Sequence, residues 1–298
     1  MQVITQDMLA EFEQVSHPKT EISNFKYSFS LLPREERSAI NSVYAFFSYI
    51  DNIVDEDSDN DLSVKEKKLN RLAFWEKEII KIYDKSENSK FLKPFVNAIE
   101  RFVIPKQYFL TLIDGCRTDL VKNRFNDFEE LKLYCYQVAS TVGLTCIEIF
   151  GYKHEQTKSY AINLGYALQL TNILRDIKAD KDRGYIYLPQ EDLKKFNYSE
   201  EDLMNEVYND NFIDLMRFQV QRARDYYHKA RTSLRPDERS RMIAAGIMDD
   251  IYFRILEKIE LNDFNIWDEK IRVSNVHKVM MALKHWLSIK LFVKRIKE

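Results

Sequence analysis

Glycine and proline are scarce. The chain has six of each in 298 residues, where average usage of roughly 7% and 5% would supply about 35 together. Strand turns and phosphate-binding loops depend on glycine, so this supply excludes a Rossmann or P-loop enzyme and a β-sandwich. Cysteine is scarce too. Cys116, Cys135 and Cys146 are an odd set with no CxxC pair, which excludes a disulfide framework and a zinc ribbon and points to a reducing compartment. Charge of one sign is lacking: 45 basic and 47 acidic residues leave a net −2, and nothing calls for a nucleic-acid partner. No apolar run approaches the 18 residues of a membrane span, so none is predicted. The acidic start MQVITQDMLAEFEQ has no basic n-region and reads against a signal peptide.

What is present is a helix-forming chain, 45% hydrophobic and 31% charged. The reading is an all-α fold, one helical domain over residues 1–298, with no internal repeat. The polar stretches 55–68 and 83–90 read as surface loops too short to separate domains. Pro33 followed by REER opens a helix. Ile40, Val43, Tyr44, Phe47, Ile50 and Val54 then recur at helical spacing. Residues 69–83 repeat the pattern. Further helices are expected at 95–102, 106–122, 128–150, 155–180, 199–233, 238–259 and 274–297.

Two stretches carry chemistry. In DNIVDED (51–57), Asp51 and Asp55 share a helix face at the negative end of the helix dipole. The segment is either a solvated acidic helix end or half of a cation site. In QLTNILRDIKAD (169–180), Asn172, Asp176 and Asp180 form an oxygen ladder at i, i+4 and i+8. Such a ladder is either a charged outer face or a hard-cation site, since Mg²⁺ takes oxygen ligands and completes its shell with water and substrate phosphate. Facing each other across a bundle, the two stretches would make a Mg²⁺-loading mouth for a diphosphate. Arg175, Lys178, Lys181 and Arg183 flank it to take phosphate oxygens. Aromatics in the same helices, Phe25, Phe29, Tyr44, Phe47, Tyr134, Tyr136, Phe150, Tyr166, Tyr252 and Phe253, are either ordinary core or the lining of a tunnel for an isoprenoid chain.

The chain resembles the squalene/phytoene synthase family on ordered motifs: NFKYSFSLLP (24–33), VYAF (43–46) running into DNIVD (51–55), IDGCRTDL (113–120), YCYQVASTVG (134–143), GYALQLTNILRDIKADKDRGYIYLP (165–189) and IYFRIL (251–256). The resemblance implies an all-α isoprenoid-synthase-type helical bundle with a central active-site cavity. It implies two or three Mg²⁺ ions on Asp51, Asp55, Asn172, Asp176 and Asp180. Arg175 then matches a diphosphate contact, Gln169 an active-site polar residue, and Tyr134 a tyrosine at the leaving diphosphate. Phe25, Phe29, Tyr44, Val138, Ala139, Gly143 and Tyr252 match prenyl-pocket positions, and Tyr187 sits in a covering loop.

The implied reaction joins two prenyl diphosphates head to head through a cyclopropyl diphosphate. The pattern is closest to bacterial presqualene diphosphate and squalene synthases, so two farnesyl diphosphates are the expected substrates. Two geranylgeranyl diphosphates, the phytoene reaction, are the alternative, and a non-catalytic assembly protein on the same fold is a second. Full reduction to squalene would need NADPH, which family members bind without a glycine-rich fingerprint. Two departures stand out: Ser48 and Asn52, where many members carry Arg and Asp. Lys26, Arg37 or Arg272 are candidates to replace the missing arginine. The expected location is cytoplasmic and peripheral to the inner membrane. KHWLSIKLFVKRIKE (284–298) is basic and amphipathic, and reads either as a final core helix or as a membrane-surface segment.

Overall fold

In a computed structural model, residues 28–55, 62–85 and 93–297 are described. Twelve helices run through them: α1 Arg34–Asp55, α2 Leu62–Tyr83, α3 Lys93–Phe102, α4 Lys106–Val121, α5 Phe128–Cys135, α6 Thr141–Phe150, α7 Gln156–Asp182, α8 Gln190–Lys195, α9 Glu200–Met204, α10 Asp210–Ser233, α11 Ile243–Leu261 and α12 Asn275–Lys297. Among the described residues there is no strand, only an isolated pairing of Arg124 with Ile186. The all-α expectation is met.

The apolar stripe read from α1 is its buried face. Ile40, Val43, Phe46, Ile50 and Ile53 are almost fully buried, each contributing roughly 1.5–3 kcal/mol by burial. Phe46 stacks on Phe95 of α3 at 4.8 Å and meets Trp75 of α2 edge-on at 5.7 Å. On the other side of the molecule, α7 packs along α10, with Thr171 Oγ1 and Tyr227 Oη 3.0 Å apart in the interior. The buried Glu238 carboxylate accepts from the Lys153 N–H at 2.7 Å and the Thr157 hydroxyl at 3.2 Å, tying down the start of α7.

Several boundaries differ from the periodicity, for local reasons. The expected helix at 199–233 is two. Glu206 has φ 55°, which ends α9, and the Asn209 side chain accepts from the Phe212 N–H to start α10. The tract taken as a loop to residue 68 is helical from Leu62, its polarity being that of an exposed first turn; residues 56–61 lie outside the description. Pro189 opens α8, which is too short to show a period. Residues 236–238 form a 3₁₀ turn before α11.

Helices α5 and α6 form one rod, interrupted by a π turn at Tyr136–Ser140 in which the Thr141 N–H reaches the Tyr136 carbonyl. Gly165 of α7 and Gly115 of α4 press on this turn from two sides. A Cβ on Gly165 would lie 2.5 Å from Ser140 Cα, and one on Gly115 2.6 Å from Val138 Cγ1. The rod Phe128–Phe150 is long and apolar enough to cross a membrane, with half of that window buried. Its apolarity has a local cause: it is the wall of the internal cavity.

Candidate active site

One cavity of about 410 Å³ opens between α1, α4, the α5–α6 rod, α7 and α11. Along α7 its lining runs from Asp180 and Asp176 through Asn172, Gln169 and Gly165 to Ala161 and Tyr160. Every described candidate residue reaches it: Asp51, Asp55, Phe29, Tyr44, Tyr134, Val138, Ala139, Gly143, Gln169, Asn172, Arg175, Asp176, Asp180, Tyr187 and Tyr252. Phe25 lies outside the described residues, as does Lys26. Some neighbours named with them do not line it. Tyr166 packs on Tyr226 at 5.0 Å and Phe253 on Tyr227 at 5.1 Å, so both belong to the core around α10.

The polar end is built from two helix ends. Asp51 opens onto the cavity but is otherwise enclosed by protein. That burial, followed by repulsion from Asp55, pushes its pKa up to about 6 against the pull of Arg183. Asp180 is raised to about 6, again mainly by burial, against the Arg183 hydrogen bond. Arg183 spans the two flanks, donating to Asp55 Oδ1 at 2.7 Å and Asp180 Oδ1 at 2.9 Å. Asp176 differs. Burial pushes it up, but Arg175 and Lys270 together hold its carboxyl below the usual range. Arg175 Nε donates at 3.0 Å to Asp176 Oδ1, and Lys270 Nζ lies 2.9 Å from the same oxygen.

Of the four flanking bases, Arg175 and Arg183 face the cavity. Lys178 instead donates to the Trp267 carbonyl, and Lys181 pairs with Asp182 and Glu206. Position 48, a serine, lines the cavity. Arg37 is exposed and donates to the Ser30 carbonyl at 3.3 Å. Lys270, which the sequence did not single out, is the added cation at Asp176.

Among the described residues no three carboxylates form a ready-made metal cluster, because arginine and lysine stand between them. The donor set nonetheless fits a hard divalent ion. It is all oxygen, and Asn172 Oδ1 is buried with no hydrogen-bond partner, an atom whose desolvation is uncompensated until something binds it.

A residue quoted within IDGCRTDL but given no role lies at the centre of the site. Asp119 of α4 accepts from Tyr134 Oη at 2.9 Å and Tyr187 Oη at 3.0 Å. Burial raises it to about 7, with the two hydroxyls pulling down and Asp51 and Asp55 pushing up. Tyr134 and Tyr187 stack at 5.4 Å. The covering loop is held firmly. Gly184 turns with φ +87°, its carbonyl accepts from Arg124 at 2.7 Å, and the Ile186 N–H reaches the Asn123 carbonyl at 3.0 Å. No spacing signal marks Asp119; only the crossing of α4 with the rod and the loop reveals it.

Comparison with known proteins agrees with this geometry. The family model described as squalene/phytoene synthase matches residues 19–277. The phytoene synthase of Arthrospira platensis is 36% identical over 272 residues, covering 86% of this chain and 85% of that one. The 15-cis-phytoene synthase of a Synechocystis strain is 35% identical over 269 residues, covering 86% and 78%. A dehydrosqualene synthase crystal structure superposes with TM-score 0.78 at 24% identity, over 96% of this chain and 97% of that one. The squalene synthase HpnC of Alicyclobacillus acidocaldarius gives 0.75 at 24%, over 88% and 97%. The last two speak to the fold alone, which is the isoprenoid-synthase type.

Proposed function

The chain belongs to the squalene/phytoene synthase family, and from that premise we propose that it condenses two geranylgeranyl diphosphates head to head, toward phytoene. The coarser statement needs no proposal: it is a prenyltransferase of the head-to-head condensation family. The observation carrying the C20 reading is that relatives 35–36% identical along most of their length are phytoene synthases. The C15 expectation drawn from the motifs gives way to it. Cavity depth is compatible. Sixteen residues of α7 separate Asp176 from Tyr160 along the lining, about 24 Å at helical rise. An extended twenty-carbon tail needs on the order of 20 Å at carbon–carbon bond lengths.

The family is generally divalent-metal dependent. Here Asp51, Asp55, Asn172, Asp176 and Asp180 would hold Mg²⁺, which when bound neutralises charge on the leaving diphosphate. Arg175, Lys270 and Arg183 donate to diphosphate oxygens. The faces of Tyr134, Tyr187, Phe29 and Tyr44 stabilise the allylic cation left behind. The second substrate's C2–C3 double bond attacks that cation, and ring closure releases a proton. Tyr134 Oη accepts it while passing its own to Asp119 Oδ2, a carboxylate poised near neutrality for that task. The stacked tyrosines and the pinned loop keep water from quenching the cation.

The test supplies purified protein and Mg²⁺ with farnesyl or geranylgeranyl diphosphate separately, each with and without NADPH. The C20 reading expects a C40 hydrocarbon from the C20 tube, independent of NADPH. A C30 product from the C15 tube alone would restore the farnesyl reading, and silence in both would remove the catalytic reading.

A further inference from the structure

Helix α12 is charged unlike the rest of the chain. Residues 270–298 hold eight Lys or Arg and one acid, Glu298, in a protein of net −2, so the remainder is acidic on balance. Asn275–Lys297 contains no Asp or Glu at all.

The helix has two faces. One rests on α11, with His285 Nε2 3.0 Å from Asp250 Oδ2 and the His285 ring closing on Gly246. Met281 and Ala282 are half-buried on that side. The opposite face carries Val276, Val279, Met280, Leu283 and Leu287, each 45–68% exposed. Their spacing makes one stripe about three turns long. Scattered exposed apolar residues are ordinary, but a contiguous stripe marks an interaction surface. The sequence continues the same register with Lys290, Lys294 and Lys297.

The geometry points to this stripe as a docking face for a lipid bilayer bearing anionic headgroups. The apolar turns enter the boundary between headgroups and acyl chains, and the lysines that continue the register meet lipid phosphates. A second copy is the poorer partner, because a two-fold contact through this face would set two purely cationic helices against each other. Helix α11, on which α12 rests, contributes Ala244, Met248 and Tyr252 to the cavity wall. The docked surface therefore lies one helix away from the cavity.

The experiment is flotation of the full chain with phosphatidylcholine vesicles and with phosphatidylcholine–phosphatidylglycerol vesicles, at low and high salt. The protein is expected to float with the anionic vesicles only and to be released by salt, which screens headgroup attraction. Met280→Glu with Leu283→Glu should cut partitioning roughly tenfold or more, about 1.4 kcal/mol. Thermal stability and turnover on detergent-dispersed substrate should stay unchanged. Lys290→Gln, Lys294→Gln and Lys297→Gln together leave the stripe intact and should remove the preference for anionic vesicles. Three results would overturn the proposal: no flotation of the wild type, equal flotation of the double Glu variant, or a wild-type dimer that the Glu variant converts to monomer.

Discussion

The two flanks of the polar mouth look alike in sequence and differ in electrostatics. On α7, Asp176 has its own counterions, Arg175 and Lys270, and is held below the ordinary carboxylate range. On α1, Asp51 has no counterion of its own, sees Arg183 across the mouth, and is pushed up to about 6. The cation that might have balanced it is replaced by Ser48, which lines the same cavity. Thus α7 is compensated before anything binds, whereas α1 carries charge that an incoming cation would relieve. Equal ligand counts do not mean equal roles.

The sharpest way to break this comparison is to neutralise each side. Asp51→Asn and Asp176→Asn should each lower turnover by at least ~10³-fold, the scale of losing transition-state electrostatics. Their effects on the metal-free protein should have opposite signs. Asp176→Asn strands the part-buried Arg175 and should lower stability by about 1–3 kcal/mol. Asp51→Asn removes an unbalanced charge and should raise the melting temperature at pH 8. Equal signs in calorimetry would erase the distinction between the flanks.

Arg183→Gln tests the shared cation. Removing it leaves Asp55 and Asp180 without their bridge, and the metal-free protein should lose about 1–2 kcal/mol. Added Mg²⁺ should recover part of the loss, measured as a shift in melting temperature. Recovery no greater than in the wild type would show that Arg183 does not stand between the carboxylates and the metal.

The pH dependence sharpens the same point. Asp51 and Asp180 titrate near 6 and Asp119 near 7, all above the unfolded carboxylate value of 3.8. A raised acid contributes its full stability below the unfolded value and loses it as pH rises through the folded one. From pH 5 to 8 these groups should therefore lower the melting temperature of the metal-free protein by several degrees, at about 2–4 °C per kcal/mol. Asp51→Asn should flatten that slope, and an unchanged slope would count against its burial. The smallest effect is expected from Ser48→Arg. One turn from Asp51, the new guanidinium should raise the melting temperature slightly, by about 0.3–0.5 kcal/mol as an exposed helical pair. It should also lower KM a few-fold, and a higher KM would mean that the serine leaves room the substrate needs.

Much of this site was legible because its signals are local. Asp51 and Asp55, and Asn172, Asp176 and Asp180, sit four apart, so any helix puts each set on one face. The all-α class followed from the shortage of turn-formers. Asp119 was not legible, because its partners Tyr134 and Tyr187 are 15 and 68 residues away. Lys270 approaches Asp176 from the segment before α12, where nothing in the sequence names its partner. The break between α9 and α10 depends on one residue in a left-handed conformation and one side-chain cap, both finer than a periodic pattern can resolve.

The sequence alone determined what short-range chemistry determines: which segments are helical, which face of each is apolar, and which oxygen ladders a helix must display. The tertiary structure decided the rest. It set the two ladders on opposite sides of one cavity, put Arg183 between them, gave Asp176 two counterions and Asp51 none, and buried Asp119 under two tyrosines. Those outcomes depend on distance through space and on loss of solvent, and neither quantity is a function of spacing along the chain.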